Sequence, residues 1–426
     1  MVRAANARGV ALDVLDRVLG EARPLDETFA GHPALASLDG RDRAFARLLV
    51  TVTLRRLGQI DAVLDQFLRS RPKALGVHDL LRLGAAQLLF LDTPAHAAVA
   101  ETVTLATGPH AFAKGLINAV LRRVGREGKE RLAGQDAARL NTPDWLWQSW
   151  CRAYGEARAR AIAEAHLVEP PLDLSVKADP EAWAARLGAE RLYADTIRCK
   201  AGGAIEDLPG YAEGAWWVQD AAAALPARLL RAIDGRSVVD LCAAPGGKTA
   251  QLAAAGAEVI AVELSDRRAL RLRANLERLR LDARIEIADA LSWRPPRPVG
   301  HVLVDAPCTA TGTIRRHPDI AWHKTPDDVT RMAALQRQLL AAAAAMLEPG
   351  GILAYASCSL QPEEGAMVIA QALPDLPLAR LPVRASELDG LPIDITAEGD
   401  VRTLPCDLAE RGGLDGFFIA RLRRHG

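Results

Sequence analysis

The sequence predicts a multidomain chain: an all-α N-terminal domain over residues 1–135, a small α+β connecting domain over 136–225 and a C-terminal α/β domain over 226–426. Three observations predict it. Apolar residues recur at helical spacing to about residue 125, tryptophans and mixed periodicity crowd the middle, and short apolar runs alternate with helical patterns from 226 onward. A chain of 426 residues has room for two or three domains of roughly 100 to 200 residues.

In the first domain the i, i+3, i+4 pattern appears at Leu12, Leu15, Val18 and Leu19, at Leu48, Leu49 and Val52, and at Leu116, Ile117, Val120 and Leu121. SRPKALG (70–76), LDTPAH (91–96) and TGPH (107–110) break it into separate helices. The opening MVRAANARGVALDVLDRVLG lacks the apolar core of about 7 to 15 residues that a signal peptide needs, and no run reaches the ~18 apolar residues of a membrane span. A cytoplasmic protein without membrane partners is expected. The 53 basic and 53 acidic residues cancel, so net charge does not argue for nucleic acid. Residues 1–130 carry 18 Lys and Arg against 14 Asp and Glu, an excess that a solvated helix face explains equally well.

Six of the eight tryptophans lie in the middle stretch: Trp145, Trp147, Trp150, Trp183, Trp216 and Trp217. Exposed, they would stack on unpaired bases; buried, they are core filler, the commoner fate of this residue.

Beyond 226, SVVDLC (237–242), EVIAVEL (258–264), RIEIAD (284–289), HVLVD (301–305) and ILAYASC (352–358) read as strands. RALRLRANLERLR (268–280) and DVTRMAALQRQLLAAAAAML (328–347) read as helices, the second begun by Thr325 as cap, Pro326 at the first helical position and Asp328 as the capping-box acid. Alternation of this kind builds a parallel sheet covered by helices, with ligands beyond the carboxyl ends of its strands.

The first of those ends is DLCAAPGGKT (240–249). It is not a phosphate-binding P-loop, because Cys242 stands where the leading glycine is required, and the adjacent Gly246 and Gly247 do not make G-x-G-x-x-G. A small-residue turn remains, able to bring backbone amides close to a ligand. Glu263, 17 residues after Gly246 at the end of the next strand, is placed for ribose hydroxyls, and Asp289, at the end of the third, for a base amine. Acids without a polyphosphate grip fit S-adenosylmethionine.

Six cysteines, at 151, 199, 242, 308, 358 and 406, form no C-x-x-C pair and no zinc spacing, so reduced thiols and no metal are expected. Cys151, Cys199 and Cys406 read as small buried hydrophobes. Cys308 follows the fourth strand in VDAPCTATG (304–312), and Cys358 follows the fifth in YASCSL (355–360). Both therefore reach the ligand edge of the sheet. A thiolate adding to carbon 6 of a pyrimidine makes carbon 5 nucleophilic enough to attack a sulfonium methyl group. Asp305 is placed to hydrogen-bond ring nitrogen 3 and lower the cost of that addition. Spacing alone leaves open which cysteine attacks.

DLCAAPGGKT, VDAPCTATGTIRRHPD and YASCSLQPEEG, with DGFFIARL (415–422) as a closing strand, resemble the motifs of the Fmu/Sun, or RsmB, family of ribosomal RNA cytosine-5 methyltransferases. Residues 1 to about 130, including LDTPAHAAVAETVTLA and KGLINAVLRRV, resemble the NusB-type helical RNA-binding domain that such proteins carry. The resemblance implies a class I (Rossmann-like) methyltransferase domain. It implies S-adenosylmethionine on Cys242, Ala243, Ala244, Pro245, Gly246, Gly247, Lys248, Glu263, Asp289 and Asp305. It implies Cys358 as nucleophile and Cys308 as the group assisting breakdown of the adduct, with Lys248 orienting cofactor or substrate. The implied partner is ribosomal RNA, 16S, met by a monomer. Two departures stand out: Thr309 and Ala310 replace an expected Ser-Gly, and Glu263 replaces a common aspartate. Arg315 and Arg316 are either phosphate contacts or a solvated loop. The rival readings are a tRNA cytosine-5 methyltransferase, since the catalytic motifs serve several RNAs, and a non-catalytic RNA-binding or antitermination factor built on the helical domain.

Overall fold

Asn6 accepts a hydrogen bond from the Gly9 amide at 2.8 Å and so caps the first helix, Ala7–Gly20, which buries Leu12, Leu15 and Val18. The computed structural model describes residues 6–200 and 203–426. It divides into two units: the first runs through Val168 and includes Ile314–Lys324, and the second holds Glu169–Thr313 and Thr325–Gly426.

In the first unit, helices Gly40–Arg55, Leu57–Asp65, Leu75–Phe90, Ala95–Thr104 and Lys114–Ala133 follow, and the expected breaks fall between them. Leu75–Phe90 is buried on nearly every face, so it forms the centre around which the amphipathic helices pack. A Cβ on Gly84 would lie 2.4 Å from Leu121, so glycine here lets Leu75–Phe90 approach Lys114–Ala133 closely. Leu48 and Leu116, part of the apolar pattern, face solvent at 40% and 45% exposure. Helices Asp144–Tyr154 and Glu156–His166, expected with the connecting segment, lie in this unit.

Ile314–Lys324 packs into the same unit. Trp322 donates to the Leu54 carbonyl at 2.8 Å, Asp319 accepts from the Leu25 amide at 3.0 Å, and Arg55 donates to the Arg315 carbonyl at 2.9 Å. The Arg315 side chain is only 2% exposed, so TIRRHPD is not a solvated loop, and Arg315 is not free to meet a phosphate.

The second unit contains two sheets. The small one pairs β1 (Leu172–Val176), β2 (Glu190–Tyr193), β3 (Thr196–Cys199) and β4 (Trp216–Val218) in the order 2-3-1-4, all antiparallel. Trp216 and Trp217 here, like Trp150 in the first unit, are buried and serve as core, while Trp183 here and Trp145 and Trp147 in the first unit are half-buried.

The large sheet contains β5 (Ser237–Leu241), β6 (Glu258–Glu263), β7 (Arg284–Ile287), β8 (Val299–Asp305), β9 (Leu347–Ser357), β10 (Leu378–Arg380), β11 (Asp394–Ile395), β12 (Val401–Thr403) and β13 (Phe417–Arg424). Its order is 11-12-13-9-8-5-6-7, with β10 on the far part of β13. Strands β5 to β9 run parallel as expected, but β10 to β13 run antiparallel, so the sheet is mixed. Three of those added strands have two or three residues, too short to show a period in the sequence. Helix Asp266–Leu279 covers one face. Helix Pro326–Met346 covers the other and begins with the full Thr325–Asp328 capping box.

Candidate active site

The strand order creates the site. From β5 the chain moves out to β6 and β7, then returns to place β8 on the other side of β5. At such a reversal the loops leave in opposite directions and a crevice opens beyond the carboxyl ends. The loop 242–248 occupies this point. Glu263 and Asp289 end the strands on one side, and Asp305, Cys308 and Cys358 end those on the other.

The turn is built by backbone geometry. Cys242 takes φ +60° and Gly246 φ +104°, the left-handed region in which glycine is at ease. A Cβ on Gly246 would lie 2.4 Å from Leu272, so only glycine lets the turn sit against helix Asp266–Leu279. The Ala243 amide donates to the Val262 carbonyl at 3.1 Å, and Asn275 donates to the Pro245 carbonyl at 2.8 Å. Gly247 begins helix Gly247–Ala254, directing its first-turn amides outward. The Cys242 thiol is pushed up to about 12 by burial and by the Asp305 and Glu263 carboxylates, so this residue contributes backbone and not a thiolate.

Glu263 is 3% exposed and accepts from the Ala244 amide at 3.2 Å and the Ser265 amide at 3.0 Å. It shapes the loop as well as ending the strand, and its unused lone pairs remain available to hydroxyl donors. Asp289 is exposed and accepts from the Leu291 amide at 2.9 Å; the Ala288 amide donates to the Glu263 carbonyl at 3.1 Å, which keeps the two acids adjacent. Two neighbouring carboxylates and an amide-lined glycine turn, with no arrangement for a polyphosphate, fit a nucleoside such as S-adenosylmethionine. Among the described residues no group of three or more His, Cys, Asp and Glu is placed to hold a metal ion.

On the other side, β8 and β9 pair Asp305 with Ala356, so the two loops leave side by side. Residues 50 positions apart are thereby brought together: the Cys308 and Cys358 sulfurs are 3.3 Å apart. Lys248 Nζ lies 2.8 Å from Asp305 Oδ2 and 5.3 Å from the Phe417 ring centre. Burial opposes the charge on Lys248, but Asp305 prevails and holds its amine above the usual value. The hydrogen bond with Cys308, then burial, pushes the Cys358 thiol well up, while Lys248 pulls the other way. The resting group is therefore a thiol that must lose its proton before it attacks.

Sequence reasoning missed what holds these loops. Glu364, fully buried, accepts from the Thr309 amide at 2.8 Å, from the Thr309 hydroxyl, from Ser359 Oγ at 2.6 Å and from Gln336 Nε2 at 3.3 Å. It thus ties the residue after Cys308 to the residue after Cys358. Gln361 accepts from Ser359 Oγ at 3.0 Å and from Thr311. A Cβ on Gly312 would lie 2.8 Å from the Cys358 carbonyl, which accepts from the Gly312 amide at 2.9 Å, so the loop closes only on glycine. Ala310 takes φ +58°, which explains why glycine is expected there; alanine costs roughly 1 to 2 kcal/mol in this conformation. The only sequence signal was PEEG following the cysteine motif.

Glu364→Ala leaves the Thr309 amide buried and unpaired, a loss of roughly 1 to 3 kcal/mol. The expected result is a lower kcat with cofactor Kd unchanged in calorimetry, and substantial rescue by Glu364→Gln, which keeps an acceptor for that amide.

Asp240, at the end of β5, is fully buried and accepts from Thr249 at 2.6 Å, while its Oδ1 has no partner among the described residues. Burial raises its pKa from 3.8 to about 7. Between those values the folded chain holds a proton that the unfolded chain has released, so this group's contribution to stability falls as pH rises through the window and stays low above it. Asp240→Asn keeps the acceptor for Thr249 and removes the titration. In urea unfolding the variant's advantage over the wild type should grow by a few kcal/mol from pH 5 to pH 8. Parallel pH profiles would contradict the assignment.

The family model described as 16S rRNA methyltransferase RsmB/F matches residues 227–423, and the NusB family model matches residues 5–126. The ribosomal RNA small subunit methyltransferase B of Pseudomonas putida is 38% identical over 436 aligned positions, covering 95% of this chain and 97% of that protein. The crystal structure of PH0851 superposes with TM-score 0.77 over 98% of this chain and 99% of that chain at 23% identity, a likeness of fold. A methyltransferase homolog from Pyrococcus horikoshii matches at TM-score 0.54 and 28% identity, covering 66% of this chain and 99% of its own.

Proposed function

The chain belongs to the 16S rRNA methyltransferase RsmB/F family, and from that premise we propose that it methylates carbon 5 of a cytosine in small-subunit ribosomal RNA. The observation that carries the proposal is the 3.3 Å approach of the Cys308 and Cys358 sulfurs, beside the Lys248–Asp305 pair and next to a nucleoside-binding turn. A methyltransferase acting on an oxygen or an exocyclic nitrogen has no use for two adjacent thiols. Carbon 5 of cytosine, a poor nucleophile until carbon 6 is attacked, needs one thiol to add and gains from a second group to finish.

In the proposed sequence the Cys358 thiol passes its proton by way of Asp305 to ring nitrogen 3 while its sulfur bonds to carbon 6. Lys248 holds Asp305 in place and favours the thiolate as it forms. Residues 242–248 with Glu263 and Asp289 would hold S-adenosylmethionine, which would supply the electrophilic methyl group. Cys308, having released its own proton to solvent, then accepts the carbon 5 proton as a thiolate; the electrons of that C–H bond restore the ring double bond, and the carbon 6 bond leaves with the Cys358 sulfur. Nitrogen 3 returns its proton through Asp305 to Cys358. The N-terminal helices, matched by the NusB model, hold the RNA, and the chain works as a monomer in the cytoplasm.

The test is direct. Ribosomal and transfer RNA transcripts incubated with methyl-labelled S-adenosylmethionine are digested to nucleosides and separated. Label in 5-methylcytidine from ribosomal RNA is the expected result. Label in 4-methylcytidine or a 2′-O-methyl nucleoside, or only in transfer RNA, would overturn it.

A further inference from the structure

Between the connecting segment 67–74 at the start of helix Leu75–Phe90 and helix Lys114–Ala133, the first unit has a cavity of about 670 Å³ that the methyl-transfer chemistry does not use. Its walls are apolar, with Phe67 in the floor and Phe112 standing at the mouth with 79% of its surface in water. Four cations rim it: Arg69, Arg71, Lys73 and Arg123; no acidic residue lines it. Arg71 is paired with Asp65 at 2.6 Å, and Arg123 lies 4.7 Å over the Phe67 ring. Arg69 and Lys73 have no partner among the described residues.

An aromatic ring left in water is unfavourable unless something covers it, and an exposed apolar opening marks a binding surface. The charge decides the occupant: unpaired cations beside an exposed ring match a phosphate chain whose bases stack. We propose that this cavity is a second RNA-binding site, which takes an unpaired stretch of the RNA strand, one base stacked on Phe112 with its phosphates against Arg69 and Lys73. The site anchors the substrate independently of base identity, since every base offers a face to stack. It rests on the RNA methyltransferase reading, but the two fail separately.

The probe is a fluorescein-labelled U12 oligonucleotide, which lacks cytosine, bound to the full-length chain and followed by anisotropy. Phe112→Ala should weaken binding by roughly 5- to 100-fold, the range for loss of one stacked base, and Phe112→Trp should restore it. Arg69→Gln with Lys73→Gln should lower the slope of log affinity against log salt by about 1.4, for two phosphates released from a single strand. S-adenosylmethionine Kd should not change in any of these variants. Unchanged U12 affinity and salt slope in both variants, while the wild type still methylates ribosomal RNA, would overturn this site and leave the enzyme reading intact. Loss of U12 binding in the variants, with no methyl transfer to any RNA by the wild type, would uphold the site and sink the enzyme reading. Displacement of U12 by polyglutamate at equal charge concentration would overturn the site in favour of an acidic protein partner.

Discussion

Cys358→Ala is expected to abolish methyl transfer, with a fall in single-turnover rate of roughly 10⁴-fold or more, as befits loss of a covalent nucleophile. Carbon 5 cannot attack until carbon 6 carries the sulfur, and alanine offers nothing in its place. The side chain is not part of the nucleoside turn, so S-adenosylmethionine Kd should stay within about twofold of the wild type by calorimetry. Cys308 lies only 3.3 Å away, so substantial residual transfer would mean that it serves as the attacking group instead.

Cys308→Ala should behave in the opposite manner. In the proposed sequence the first half of the reaction needs Cys358 and Asp305, so one methyl group should be transferred per enzyme, after which the proton on carbon 5 would have no acceptor. Enzyme and RNA should then migrate together through a denaturing gel, with multiple turnover down roughly 10²- to 10⁴-fold, the usual weight of a positioned acid or base. The substitution has a second effect. The hydrogen bond with Cys308, which holds the proton on the Cys358 sulfur, is the largest cause of its raised pKa. Removing it should let iodoacetamide alkylate Cys358 at lower pH than in the wild type. A gel free of the complex, or an unmoved alkylation profile, would contradict the role given to Cys308.

Much of the architecture was readable from the residues themselves. Thr325, Pro326 and Asp328 announced the start of the long helix, and the capping box formed as they implied. The five parallel strands ended within a residue or two of DLC, VEL, IAD, VD and ASC, because short β-branched runs bounded by turns carry their limits with them. The antiparallel strands β10 to β12 were not readable, since two or three residues show no period. The helices at 144–166 were expected in a connecting domain, but they pack in the first unit, a long-range choice that local pattern does not encode.

The gathering of the candidate residues at one sheet edge was readable, and what supports them was less so. The adjacency of Cys308 and Cys358 followed once both were placed at the ends of paired strands. Lys248, left with an orienting role, is found on Asp305. Glu364 was invisible because its function lies in the Thr309 and Ser359 groups it binds, and a sequence does not say which donors will surround a buried carboxylate. Arg315 misled for the same reason: an arginine pair in a loop reads as exposed until the fold is known to bury it.

Trapping the proposed covalent bond between Cys358 and cytosine puts the assignment of the nucleophile to the test. Wild-type enzyme is incubated with S-adenosylmethionine and ribosomal RNA containing 5-fluorocytidine, whose carbon 5 has no proton to lose, so the adduct cannot break down. The trapped complex is digested with protease and nuclease, and the modified peptide is sequenced by mass spectrometry. The expected product is a methylated fluorocytidine on Cys358. The same mass on Cys308, or no nucleotide-bearing peptide, would contradict it.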